Sequence, residues 1–154
     1  MEKSQLDEII DFAIQREKDA VLFYQGLQKS VHFSERRKHI RSFELMEEGH
    51  IKIIEQIRNQ IEQMDIESIV VPEVENLRIS DYIVEQNIEG EMDYQDILIS
   101  AMKREELSFS LYTDLAEGSM DSGIKRLLLK LAAEEAQHKL FFERIYDDEI
   151  LSQD

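Results

Sequence analysis

The sequence contains no cysteine, one proline and five glycines. Without cysteine there is no disulfide, no thiolate metal site, no iron–sulfur cluster and no catalytic thiol. So little proline and glycine leaves few turn signals, which argues against a fold built from many short strands. No apolar run approaches the roughly 20 residues of a membrane-spanning helix. Basic residues are scarce as well: 18 Lys and Arg stand against 34 Asp and Glu, for a formal net charge of −16. Nucleic-acid binding needs a basic face for counterion release, so that class is excluded, and anionic membrane surfaces are disfavoured for the same reason. The segment Met1 to Gln5 lacks the basic-then-apolar layout of a secretory leader, and the expectation is a cytoplasmic protein.

What remains is a chain of 154 residues, 42% hydrophobic and 34% charged, which is the composition of one globular domain rich in amphipathic helix. The spacing predicts a first helix from about Gln5 to Ser30, with Ser4 as its N-cap. Its apolar stripe runs Leu6, Ile9/Ile10, Ala13, Ala20/Val21, Tyr24, Leu27 at intervals of three and four. A second helix should begin after Ser34 and reach Met64, with Ile40, Phe43, Ile54, Ile57 and Ile61 on its stripe. The third is capped by Asp93 and ends near Gly118; the fourth begins after Ser122 and runs to about Glu149. Between the second and third helices, residues 65–92 hold Pro72 and read as a long crossover, with Ser80-Asp81 able to cap a short helix through Ile88. The architecture expected over residues 1–154 is therefore all-α: a four-helix bundle made of two hairpins, about 4–64 and 93–150, joined by that crossover.

The two hairpins repeat one another at a shift of 88 positions. Ala13, Arg16, Glu17, Tyr24 and Leu27 recur as Ala101, Arg104, Glu105, Tyr112 and Leu115, and Glu47 and His50 recur as Glu135 and His138. Glu17, Glu47, His50, Glu105, Glu135 and His138 all fall in apolar stripes, where aliphatic residues are expected. Residues three apart on a helix differ by about 60° in direction, so each Glu-x-x-His presents both side chains on one face. Buried carboxylates without counter-charge are strongly unfavourable. Two divalent cations would balance four glutamates, and a carboxylate–imidazole set suits iron, manganese or zinc. Tyr24 and Tyr112 lie two turns beyond the lone glutamates; they either pack as core aromatics or hydrogen-bond to a ligand carboxylate. His32 and His39 have Lys29 and Arg36 where a ligand glutamate would stand, and both read as surface residues. Glu44, Glu48, Glu106 and Glu134 neighbour the six but fall off the stripes and read as solvated.

The segments Ala-Ile-Gln-Arg-Glu…Phe-Tyr (13–24), Glu-Glu-Gly-His (47–50), Ala-Met-Lys-Arg-Glu…Leu-Tyr (101–112) and Glu-Ala-Gln-His (135–138) make the chain resemble the ferritin-like superfamily, and within it the rubrerythrin-type di-iron proteins. The resemblance covers nearly the whole chain. It implies a ferritin-like bundle holding two iron ions, with manganese, zinc or mixed occupancy as variants. The implied ligands are Glu17, Glu47, His50, Glu105, Glu135 and His138, with one carboxylate from each half bridging. It further implies an oxidoreductase that reacts with hydrogen peroxide or dioxygen in oxidative-stress defence, and a homodimer. Two features depart from the family pattern. There is no cysteine-rich rubredoxin-like segment, so electrons would come from a separate donor protein. One turn beyond the third-helix ligand, where an additional glutamate is usual, this chain has Ser108. A ferroxidase or iron-storage protein, and a bundle in which the metal is a structural staple, are the alternative functions.

Overall fold

A computed structural model describes residues 3–64, 79–82, 93–119 and 121–151. These residues form four long helices and, among the described residues, no strand: α1 (Lys3–Gln28), α2 (Arg37–Glu62), α3 (Tyr94–Glu117) and α4 (Ser122–Glu149). They divide into two compact units, one built on α1 and α2, the other on α3 and α4 from Lys125 onward.

In the first unit α1 and α2 are antiparallel. Asp11 pairs with Arg58, Glu17 meets His50, and the Tyr24 ring packs edge-on against Phe43, so the numbering rises on one helix as it falls on the other. The buried side chains follow the expected stripes, with Leu6, Ile9, Ile10, Ala13 and Leu27 on α1 and Ile40, Phe43, Ile54, Ile57 and Ile61 on α2. Full burial of each large aliphatic or aromatic side chain stabilises the unit by about 1.5–3 kcal/mol.

The helix ends differ from the sequence reading. Ser4 lies inside the first turn of α1 rather than capping it, and α1 stops at Gln28. The link to α2 is a 3-10 segment, Val31–Arg36, whose cap is Ser30: its Oγ accepts the His32 N–H at 3.3 Å. Phe33 is fully buried and pins this link to the hairpin, so the chain reaches α2 at Arg37, three residues past Ser34. Met64 lies beyond the end of α2 and is exposed.

In the second unit, Asp93 caps α3 as expected, its Oδ1 accepting the Asp96 N–H at 2.8 Å. Tyr94 donates to Glu149 Oε2 at 2.5 Å and Gln95 donates to the Tyr146 hydroxyl at 3.2 Å, which sets α3 and α4 antiparallel. Of the crossover, residues 79–82 are described and form a 3-10 turn; Pro72 and the expected continuation to Ile88 lie outside the described residues. Tyr82 in that turn is buried and donates to Asp114 Oδ2 at 2.6 Å, tying the turn to α3. Burial and the Asp114 carboxylate both push its phenol pKa up.

At the start of α4 the cap is Asp121, one residue earlier than anticipated: its Oδ2 accepts the Ile124 N–H at 2.9 Å. Asp121→Ala removes that acceptor and is expected to lower stability by about 1 kcal/mol, read as a lower urea midpoint at unchanged slope.

Candidate metal centre

The antiparallel register of the first hairpin brings Glu17 on α1 level with Glu47 and His50 on α2. All three are buried, at 1%, 0% and 1% exposure. His50 Nδ1 lies 3.4 Å from Glu17 Oε2 and 3.8 Å from Glu47 Oε1. One ligand atom from each of the three falls within 4.8 Å of the others. The one-turn separation of Glu47 and His50 aims both at the same point, and Glu17 faces them from the neighbouring helix.

The second hairpin repeats the construction. Glu105 on α3 and Glu135 and His138 on α4 are 2%, 1% and 1% exposed. His138 Nδ1 stands 3.6 Å from Glu105 Oε2, and a ligand atom from each residue again lies within 4.8 Å of the other two. Each unit thus carries a buried group of two carboxylates and one imidazole. That donor set, oxygen and nitrogen without sulfur, fits iron, manganese or zinc, and a cation would supply the positive charge that closely spaced buried carboxylates require.

Around these groups the sequence reading holds at several points. Tyr24 and Tyr112 are each 1% exposed, and Tyr24 packs edge-on against both Phe23 and Phe43. His32, His39 and Glu48 are exposed. Glu106 points outward and pairs with Lys139 at 3.9 Å, whereas Ser108 is buried at the position where an additional acid was noted as missing.

Glu44 is the correction. The α2 stripe assigns it to solvent, whereas in the structure it is 2% exposed. Its Oε1 accepts from Gln28 at 2.6 Å, and its Oε2 accepts from Gln25 at 3.2 Å and from Arg41 at 2.7 Å. The stripe of α2 alone does not show this, because Glu44 lies at the edge that turns toward α1. The available signal was the pair Gln25 and Gln28, one turn apart on α1, together with Arg41 three residues before Glu44. Burial raises the Glu44 pKa, but the hydrogen bonds from Gln28, Gln25 and Arg41 and the Arg41 charge outweigh it, leaving the carboxyl below its ordinary value.

Long antiparallel helical hairpins, each with a buried Glu/Glu/His group, define the class of ferritin-like, all-α carboxylate metal proteins. The chain belongs to the rubrerythrin family: the family model described as Rubrerythrin matches residues 8–146. No curated protein and no solved structure matches the chain significantly.

The lowered Glu44 pKa fixes the sign of a pH effect. A depressed carboxyl contributes stability that is complete above the ordinary glutamate pKa, about 4.3, and is lost as pH falls through the folded-state value. Glu44→Ala, which removes the charged acceptor of three hydrogen bonds, is expected to lose about 1–3 kcal/mol at pH 7. The gap in urea midpoint between wild type and variant should narrow below about pH 4; a gap independent of pH would contradict the charged clasp.

Proposed function

We propose that Glu17, Glu47 and His50 together with Glu105, Glu135 and His138 hold two metal ions as one dinuclear centre, and that the loaded protein is a non-haem di-iron oxidoreductase acting on hydrogen peroxide or dioxygen. The observation that carries this reading is the duplicated buried Glu/Glu/His group, present once in each hairpin of a rubrerythrin-family chain. Bound as a pair, two ferrous ions supply the two electrons that, with two protons, convert hydrogen peroxide to two waters.

The protein's part is to place and shield. His50 and His138 present Nδ1 toward the carboxylates, so that nitrogen is the ligand atom in each half. Glu17 and Glu105 face the histidines from the partner helix of each hairpin, and four glutamates balance the charge of two divalent ions. Ala13, Ile54 and Phe142 are among the buried side chains near these positions in sequence, and the buried apolar stripes keep bulk water away from the ligands. Tyr24 and Tyr112, buried two turns along from Glu17 and Glu105, are proposed to hydrogen-bond to ligand carboxylates and fix their orientation. The electron donor is proposed to be a separate protein, and the working form a cytoplasmic homodimer.

Ser108 favours a second reading. A buried hydroxyl stands where the resemblance implies an additional carboxylate, and the reading it leaves beside the first is a ferroxidase or iron-handling role, in which ferrous ion is the substrate and is oxidised by dioxygen or peroxide.

Elemental analysis after anaerobic loading with Fe(II) and removal of free metal tests the shared premise. About two irons per wild-type chain are expected, with at least one lost in a Glu47→Ala/His50→Ala double variant. Consumption of peroxide beyond a single turnover with an added reductant then selects the oxidoreductase over the iron-handling role. No retained metal in a folded helical protein would contradict both.

A further inference from the structure

The repeat that relates the two hairpins fails at a group of four residues next to the ligands of the first. The Glu44 clasp uses Gln25, Gln28, Arg41 and Glu44; the positions 88 residues later are Thr113, Ala116, Leu129 and Ala132. None of these can reproduce it, since the acceptor has become Ala132, which is 2% exposed, and one donor has become Ala116, which is fully buried. The six proposed ligands are repeated without change across the same shift.

The clasp is placed to control ligand geometry in the first hairpin. Glu44 sits one turn before Glu47 on α2, and its two oxygens are gripped by glutamines one turn apart on α1. A two-point grip of that kind fixes both the rotation of α1 against α2 and its position along the axis. Hydrogen bonds to a buried carboxylate are directional and specify one arrangement, whereas apolar burial is non-directional. Glu17 comes from α1 and Glu47 and His50 from α2, so the register of the two helices is what sets Glu17 opposite His50. In the second hairpin the four equivalent positions carry no acceptor for such a clasp, and the α3–α4 bonds from Tyr94 to Glu149 and from Gln95 to Tyr146 lie roughly three turns from Glu105.

We propose that Glu44, with Gln25, Gln28 and Arg41, is a positioning device that makes the two halves of the metal centre unequal: the Glu17–Glu47–His50 half takes up a divalent cation first and more tightly, and the Glu105–Glu135–His138 half second. Glu44 itself does not ligate the metal, being engaged by three donors. It acts by holding the His50 half in its binding geometry before metal arrives, which removes an ordering cost that the other half must meet on binding. The proposal rests on the dinuclear reading above.

Calorimetric titration of the metal-free full chain with Co(II) tests it. Wild type should bind in two distinguishable steps, with His50→Ala abolishing the tighter and His138→Ala the weaker. Glu44→Ala should weaken the tighter step about tenfold while leaving the weaker unchanged. Gln28→Ala, which keeps Glu44 and Arg41 together, should act in the same direction to a smaller degree and decides the matter if Glu44→Ala does not fold. Two equal steps in the wild type, or a clasp variant that lowers thermal stability while moving neither step or both alike, would overturn the positioning role. A wild type that takes up no cobalt would instead overturn the metal-centre reading, so the two failures are told apart by the wild-type titration alone.

Discussion

The constraint on which the rest of this structure depends is the burial of like charge. Each hairpin gives up three positions in its apolar stripe to two glutamates and a histidine, all at 2% exposure or less. Substituting aliphatic residues at those positions would add apolar burial, and the arrangement is one that could hold a metal ion. The long helices, the antiparallel registers and the large buried side chains around each group supply the rigid frame that keeps those carboxylates from relaxing toward water.

The same constraint explains why so much was readable in the sequence. A carboxylate at the centre of a three–four apolar stripe violates the local pattern, and six such violations in one duplicated register cannot be spread over unrelated faces. Glu17, Glu47, His50, Glu105, Glu135 and His138 were found because each breaks a rule at the same level of its helix. The stripes themselves placed α1 to α4 to within a few residues, and Asp93 was correctly read as a cap.

What the sequence did not disclose depends on which face of a helix meets which neighbour. Glu44 lies only one turn from Glu47, and a single-helix projection assigns it to solvent; its burial is decided by Gln25 and Gln28 on another helix. Ser4 looks like a cap yet lies within a helical turn, and the second helix, expected to begin after Ser34, is preceded by a 3-10 segment that holds the buried Phe33. The contact between Tyr82 and Asp114 joins residues 32 apart in a stretch without periodicity, where no local pattern announces a partner. For Glu44 and Tyr82 a tertiary contact decides the outcome, as expected where local signals are worth about 1 kcal/mol or less.

The central claim is that two buried half-sites form one dinuclear centre. Anomalous diffraction at the iron edge from crystals of the Fe(II)-loaded protein tests it most directly. The account requires two peaks per chain about 3.5–4 Å apart, one beside His50 and one beside His138. A single peak, or two peaks too far apart to share a carboxylate, would contradict it.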